Sequence, residues 1–275
     1  MLSLEFAVCS AVATLRAQGM TASALELATL SLQDDTDQGR LWELKGLLHS
    51  DQGETDDARK SLETANSLVP LHSEGRFVLA ECYALQGQVD LARDLFCLLV
   101  DWPETPTELL LRIAAHFDRM GRSDLSVQAC RKASVRDAGY ARPYYEMAYY
   151  MRRCQYPTHL VESMARRAVH LDPDAVSYRI GLAVILHSLD RLQDAYDAVS
   201  EISPRQLQRN ACQCCLTRLV DVYEFAGDRA RSAICRTRLQ EMAAIFGPLP
   251  ESEPERLTPT MHWTNRFELG RESRP

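Results

Sequence analysis

GRLWELKGLLHSDQGETDDARKSLETANSLVP, residues 39–70, has the pattern of two short helices joined by a turn. Trp42 and Gly46 are four residues apart, so they share one face of the first helix. Gly53 interrupts that helix, because glycine readily adopts the positive φ that ends a helix. Pro70 closes the second helix, since proline has no backbone N–H to continue it. This stretch therefore predicts a compact helix-turn-helix unit.

The same pattern recurs along the chain with a period of 34 residues, which is the signature of a repeat architecture. The units begin at about residues 5, 39, 73, 107, 141, 176 and 213. Gly87, Gly121 and Gly227 take the place of Gly53 in other units, and we expect a positive φ at each of them. Asp190 replaces the glycine in the sixth unit, because aspartate tolerates the left-handed conformation better than most residues. The sixth unit is expected to end at a proline, Pro204.

The repeated unit resembles the tetratricopeptide repeat (TPR). The signature positions of that family are filled in the second unit by Trp42, Gly46, Ala58, Leu62, Ala65 and Pro70. Lys45 and His49 depart from the signature. The resemblance implies an all-α fold, a right-handed α-α superhelix (TPR solenoid) of about seven helix-turn-helix repeats over residues 1–246. It also implies that the first helices line a concave groove, where TPR proteins usually hold an extended peptide or a partner's helix.

Residues 247–275 differ in composition from the repeats, since they contain five prolines. Proline fixes φ and removes a backbone donor, so an extended C-terminal tail is expected. The tail also carries four large apolar residues without a repeat to enter: Met261, Trp263, Phe267 and Leu269. Two interpretations stay open, in which the tail folds back onto the repeats or docks on another protein.

The composition argues against several classes of function. A net charge of −7 disfavours nucleic acid as a partner, because the chain has no excess of positive charge to neutralise phosphates. The nine cysteines are an odd number spread over the predicted helices, which indicates free thiols in a reducing, cytoplasmic compartment. No stretch reaches the roughly 18 uninterrupted apolar residues of a membrane span, so no membrane association is expected.

The sequence contains no motif that indicates catalysis, a cofactor or a metal. It has neither a GxxxxGK[ST] loop nor a GxSxG elbow. Cys212, Cys214 and Cys215 lack the C-x₂-C pairs of structural zinc sites, and adjacent cysteines on a helix diverge by about 100°. We therefore predict no metal site, no cofactor and no enzymatic activity.

The resemblance also places certain positions of each first helix in the groove. The candidate partner-binding residues are Arg142, Tyr145, Tyr149, Arg152, Arg112, Glu43, Glu74, Phe77 and Glu81. Within them, RPYYEMAYYMRR at residues 142–153 is the sharpest local feature, because arginine forks bind carboxylates and tyrosine rings supply rigid contact area. The alternative interpretation is that the tyrosines fill the core between repeats while the arginines pair with nearby acids.

These observations predict a cytoplasmic, non-catalytic scaffold or adaptor that binds a protein or peptide partner in the groove. An alternative is a secretion or assembly chaperone that masks an apolar segment of a client protein. That function needs an apolar groove, for which the candidates are Phe77, Leu111, Ile180 and Val184. Self-association through the end repeats or the tail stays open.

Overall fold

The computed structural model of the chain describes residues 2–210 and 212–246. Over these residues the chain consists of fifteen α-helices joined by turns and short connections, without a strand. The all-α fold of paired helices expected from the sequence is confirmed. The predicted tail, residues 247–275, lies outside the described residues.

The helices group into two compact units, which divide between Ala138 and Gly139. The first unit contains four successive helix pairs: α1 (Leu2–Ala17) and α2 (Thr21–Asp34), α3 (Gly39–Asp51) and α4 (Thr55–Leu68), α5 (Ser73–Leu85) and α6 (Val89–Asp101), α7 (Thr107–Arg119) and α8 (Ser123–Arg136). From α3 onward, each pair begins at the residue where the sequence pattern starts a unit. Each pair also packs on the next, as α4 does on α5 and α6 on α7.

The second unit contains three helix pairs and one additional short helix. Its elements are α9 (Ala141–Arg153) and α10 (Thr158–Leu171), α11 (Val176–His187) and α12 (Leu192–Val199), the short helix α13 (Pro204–Gln208), then α14 (Gln213–Phe225) and α15 (Arg229–Phe246). Here α11 packs on both α10 and α14, so the pairs of this unit also stack in order. The prediction of one solenoid over residues 1–246 stays a prediction.

Small residues allow the paired helices to approach closely. Gly46 of α3 faces Leu62 of α4, and a Cβ added at Gly46 would lie 2.6 Å from Leu62 Cγ and 3.1 Å from the carbonyl oxygen of Ala58. Ala58 and Leu62 are both fully buried, so neither has space to move aside. The glycine of the signature is therefore required by packing, because nothing larger than hydrogen fits between these helices.

A residue with a positive φ follows the first helix of each pair, and the sequence predicts most of these residues. Gly53 has a φ of 80°, and its turn is closed by a hydrogen bond of 2.9 Å from the Glu54 N–H to the His49 carbonyl. Asp190 occupies the same conformation with a φ of 59°, which confirms its predicted role. In the α9–α10 turn the left-handed residue is Gln155, with a φ of 57°. The sequence has no glycine or aspartate in this turn, which is followed by Pro157.

The connection between α12 and α14 differs from the prediction. Pro204 was expected to end the sixth unit, but it begins α13 instead. Proline suits the first position of a helix, where its missing N–H has no helical partner. Ser203 and Gln206 form a capping box across this start, and Leu207 anchors the short helix in the core. The longer connection follows from this additional turn of helix.

Candidate functional site

The predicted partner-binding residues fall in both units. Those of the first unit lie on α3, α5 and α7, and are Glu43, Glu74, Phe77, Glu81 and Arg112. Those of the second unit all lie on α9, and are Arg142, Tyr145, Tyr149 and Arg152. The sequence prediction thus corresponds to two separate sets of side chains.

Glu43 is buried between two repeats of the first unit, with 3% of its surface exposed. Its Oε1 atom accepts a hydrogen bond of 2.7 Å from the His72 backbone N–H, and its Oε2 atom lies 2.8 Å from Arg40 Nη1. The His72 ring contributes a further contact of 2.9 Å to Oε2. A Cβ at Gly75 would overlap the carboxylate, so glycine is needed there. Glu43 therefore joins neighbouring repeats, and its carboxylate is not available to a partner.

Phe77 belongs to the core of the first unit, since it is fully buried. Its ring lies 5.5 Å from the ring of Phe96 and 5.5 Å from that of His116. The Arg112 guanidinium covers it at 4.1 Å from the ring centroid, and the Arg112 side chain stays 41% exposed. Of this pair, Arg112 alone presents a surface to solvent.

Glu81 and Glu74 are held by ion pairs within the first unit. Glu81 lies 2.8 Å from His116 Nε2 and 3.4 Å from Arg112 Nη2, and Glu74 lies 3.0 Å from Arg16 Nη2. Burial lowers the pKa of His116 and outweighs the opposite effect of the Glu81 hydrogen bond. These acidic residues are thus already neutralised in part by neighbours on the same unit.

Arg142 and Tyr145 are engaged within the second unit. Arg142 Nε donates a hydrogen bond of 2.6 Å to Glu146 Oε1, and the Glu146 side chain is buried. The Tyr145 ring packs on Tyr178 of α11 with 4.7 Å between ring centroids. A Cβ added at Gly181 would come within 2.5 Å of Tyr145 Cε2, so glycine makes room for this ring. Both residues make the intramolecular contacts that the alternative interpretation expects.

Tyr149 and Arg152 lie closer to solvent on the same helix. The half-buried Tyr149 ring packs edge-on against Tyr150, and Arg153 Nη1 donates to Tyr149 Oη at 3.2 Å. Arg152 is half-buried, and the residues that the structure describes provide no hydrogen bond or ion pair to its guanidinium. Burial lowers the pKa of Arg152, and the positive charge of Arg218 lowers it further. Arg152 is thus a partly desolvated cation.

A pocket of about 280 Å³ opens beside Arg152 in the second unit. It is bounded by the end of α9, the turn into α10 and the end of α11. Its lining comprises Arg152, Gln155, Tyr156, Thr158, Val161, Ile185 and Ser188. One cation, several hydroxyl and amide groups, and two aliphatic side chains make a lining suited to a polar group attached to an apolar one.

The apolar side chains proposed for a chaperone-type groove are buried. Phe77 and Leu111 are fully buried, and Ile180 and Val184 are each 5% exposed. They are part of the cores of their units, so they offer no apolar surface to a client in this structure.

Three thiols come together at the start of α14, contrary to the expected divergence. The Sγ atoms of Cys212, Cys214 and Cys215 lie within 4.8 Å of one another. The divergence argument assumed that all three residues are helical, but Cys212 is the N-cap residue and lies outside the helix. A thiol–thiol hydrogen bond with Cys214 raises the pKa of Cys212 to about 12. The C-x-C-C spacing directly before a predicted helix was the available signal.

The comparison of the sequence with family models gives one match. The model of the tetratricopeptide repeat matches residues 44–108, which cover parts of the second to fourth units. No curated protein matches the sequence.

Several solved structures share the fold. The C-terminal part of a TPR repeat-containing protein from Cytophaga hutchinsonii has a TM-score of 0.65 at 14% identity, and the match covers 86% of this chain and 95% of that chain. PilF of Pseudomonas aeruginosa has a TM-score of 0.54 at 15% identity, with 75% and 97% covered. YrrB, described as a TPR protein with an unusual peptide-binding site, has a TM-score of 0.52 at 16% identity, with 66% and 90% covered.

The family match shows tetratricopeptide repeats at residues 44–108, and the stacked helix pairs of the described residues have the fold of such repeats. Proteins of this fold are in general scaffolds for protein interaction, because stacked repeats present extended surfaces. Within the described part of the chain, no helix combines the length and hydropathy that a membrane span requires.

Proposed function

We propose that the chain is a non-catalytic scaffold that binds an extended segment or a helix of a partner protein. The partner contacts the first helices of the repeats, and the pocket beside Arg152 is its main anchoring point. The observation that carries this proposal is the half-buried Arg152 guanidinium, which lines a pocket of about 280 Å³ and has no hydrogen bond or ion pair with the described residues.

The physical argument concerns the free energy that Arg152 can still gain. Its guanidinium is already partly desolvated in the free protein, so a carboxylate that enters the pocket forms charge-assisted hydrogen bonds with less further loss of water than at an exposed arginine. The exposed Tyr156 ring in the same lining would contact the apolar part of the same side chain. A buried anchor of this kind, next to aromatic surface such as Tyr149, has the properties of a binding hot spot.

The candidates of the first unit contribute less in this proposal. Glu74, Glu81 and Arg112 are accessible in part, but each already has an oppositely charged neighbour. Exchanging one exposed ion pair for another yields about 0–1 kcal/mol. We therefore propose these three as weaker contacts on the first unit, and we leave Glu43 and Phe77 out because they are buried.

The scaffold proposal is tested with peptides selected against the full chain. A random peptide library is displayed and selected on wild-type protein, and the affinities of the enriched peptides are measured by fluorescence anisotropy. Arg152→Gln is expected to weaken binding by at least about tenfold, which corresponds to about 1.4 kcal/mol. The matched control is Arg229→Gln, since Arg229 is an exposed arginine of the same unit.

The control separates loss of the anchor from a general loss of positive charge. Both variants change the net charge by one, so a purely long-range electrostatic effect would weaken both equally. If the peptides bind the Arg152→Gln variant as tightly as the wild type, the pocket is not the binding site. If no sequence is enriched on the wild type, the scaffold proposal itself loses its support.

A further inference from the structure

Three thiols form one cluster at the N-terminal end of α14. The Sγ atoms of Cys212 and Cys214 are 2.8 Å apart, and the Sγ atoms of all three cysteines lie within 4.8 Å of one another. Cys212 and Cys215 are buried and Cys214 is half-buried. Cysteines that serve only as small packing residues have no need for mutual sulfur contacts, so the cluster requires a separate explanation.

The backbone holds Cys212 in position for this cluster. Its extended conformation, with φ of −104° and ψ of 107°, turns the side chain back over the first turn of α14. The Cys215 N–H donates to Cys212 Sγ at 3.2 Å, and the Cys212 N–H donates to Asn210 Oδ1 at 2.9 Å. An N–H donor and the positive end of the helix both favour negative charge on the sulfur.

Two arginines lie near the same sulfurs. Arg218 is on α14, where its Nη1 donates to the Cys214 carbonyl at 3.1 Å. Arg152 of α9 interacts electrostatically with Arg218 and with the sulfurs of Cys214 and Cys215. Like charges at close range are unfavourable unless a negative group offsets them. As thiolates, the three sulfurs would carry negative charge beside these two arginines.

We propose that Cys212, Cys214 and Cys215 bind one thiophilic metal ion as three thiolates, and that this ion is Cu(I) rather than Zn²⁺. Thiolates are soft ligands, which select Cu(I) and Zn²⁺ over harder cations. Zn²⁺ almost always takes four ligands, and among the described residues the group consists of three cysteines. Each thiol releases its proton to solvent as its metal–sulfur bond forms. Three thiolates and one Cu(I) leave two negative charges, which Arg152 and Arg218 balance.

The geometry needs only a small adjustment. Metal–sulfur bonds of about 2.3 Å place three sulfurs about 3.8–4.0 Å apart around one ion. The sulfurs already lie within 4.8 Å of one another, so the main change is a separation of Cys212 from Cys214 by about 1 Å. Rotation of the half-buried Cys214 side chain about χ1 supplies it. Both proposals involve the Arg152 guanidinium, but a copper titration without any partner tests the cysteine cluster alone.

The test is a Cu(I) titration of the reduced, full-length protein without oxygen, in competition with a chromogenic Cu(I) chelator. The wild type is expected to retain one Cu(I) per chain in competition with the chelator. It should also show sulfur-to-copper charge-transfer absorption in the ultraviolet. Cys212→Ser, Cys214→Ser and Cys215→Ser should each lower the affinity by at least about tenfold. The matched controls in the first unit are Cys97→Ser, at a half-buried cysteine, and Cys130→Ser, at a buried one. Both should leave the Cu(I) affinity unchanged.

Folding of each variant is checked by circular dichroism, and Cys214→Ser keeps the test valid if a variant of a buried cysteine does not fold. X-ray absorption of the copper-loaded wild type should give three sulfur neighbours. Equal copper retention by the wild type and Cys214→Ser would overturn the proposal. A protein that binds Zn²⁺ through these cysteines but leaves Cu(I) to the chelator would overturn the choice of metal.

Discussion

At the scale of single residues, Glu43 illustrates how a carboxylate can be structural on a surface that a repeat pattern assigns to binding. Its two oxygens accept from the His72 backbone and from Arg40 at 2.7 and 2.8 Å while the side chain is almost wholly buried. Glu43→Gln replaces one acceptor by a donor that faces the Arg40 guanidinium. We expect the free energy of unfolding to fall by about 1–3 kcal/mol, measured by urea denaturation.

The comparison for Glu43→Gln is Glu26→Gln. Glu26 is exposed on α2, and the same change there should alter stability by less than about 0.5 kcal/mol. Equal stability of the two variants would show that the buried hydrogen bonds of Glu43 contribute no more than contacts with water.

His116 makes the stability of the first unit depend on pH. Burial lowers its pKa below the ordinary value of 6.5, so the unfolded chain binds the proton more tightly than the folded chain. The contribution of neutral His116 is therefore complete above about pH 7 and is lost as the pH falls below the unfolded pKa. Urea denaturation between pH 7.5 and about 5 should show a shallower decline for His116→Gln than for the wild type. Parallel curves would contradict this assignment.

At the scale of elements, the approach of α3 and α4 depends on the missing side chain of Gly46. Gly46→Ala would bring a Cβ to 2.6 Å from Leu62 Cγ in a fully buried contact. We expect it to destabilise the protein by about 1–3 kcal/mol, even though alanine favours helix. In a Leu62→Ala background the same change should cost less, which a double-mutant cycle of unfolding free energies measures.

Gly53→Ala provides the contrast, because the space around Gly53 is open and its φ is 80°. Its cost of about 1–2 kcal/mol comes from the left-handed backbone, so Leu62→Ala should not reduce it. If Leu62→Ala reduced the destabilisation by Gly46→Ala and by Gly53→Ala equally, steric overlap would not be the cause at Gly46.

The two turns without glycine are expected to respond differently to its introduction. Gln155 and Asp190 have φ values of 57° and 59°, and aspartate tolerates this region better than glutamine. Gln155→Gly should therefore raise the melting temperature more than Asp190→Gly. An equal or reversed effect in thermal unfolding would contradict this order.

How well the sequence predicts a turn or a helix end depends on whether the residue itself or its surroundings determine the backbone conformation. Gly53 and Asp190 were predicted correctly, because the residue itself provides the left-handed conformation. Gln155 was missed, since glutamine has no such preference and the surrounding turn imposes it. Pro204 was misassigned, because proline suits both the residue after a helix and the first residue of one. Local sequence patterns thus predict the helix pairs, but they do not predict the turn at Gln155 or the connection at Pro204.

The candidate site was less predictable than the fold. The repeat register places Glu43 and Phe77 on first helices, but the contacts that bury them come from His72 and Phe96, which lie about 20–30 residues further along. The cysteine cluster was missed for a similar reason, since helix periodicity does not describe Cys212, which lies outside the helix. Whether a side chain is exposed to a partner depends on contacts from neighbouring helices, and the period of the repeat alone does not predict those contacts.

At the scale of the whole molecule, each unit contains a core of its own. A fragment of residues 1–138 keeps all four pairs of the first unit, so we expect a helical protein that unfolds cooperatively. A fragment of residues 1–119 lacks α8 and uncovers Ile113 and Phe117, which are buried in the full chain. The shorter fragment should unfold at lower urea concentration with a broader transition, followed by circular dichroism. Identical transitions would mean that α8 adds nothing to the core.

The division into two units also determines how the molecule responds to chemical labelling. Of its 31 basic side chains, the lysines are Lys45, Lys60 and Lys132, and all three precede Gly139. An amine-directed cross-linker or fluorophore therefore has lysine targets only in the first unit, while the pocket and the cysteine cluster lie in the second. Partners that dock on the second unit would escape lysine cross-linking, and carboxylate- or thiol-directed reagents are needed to map them.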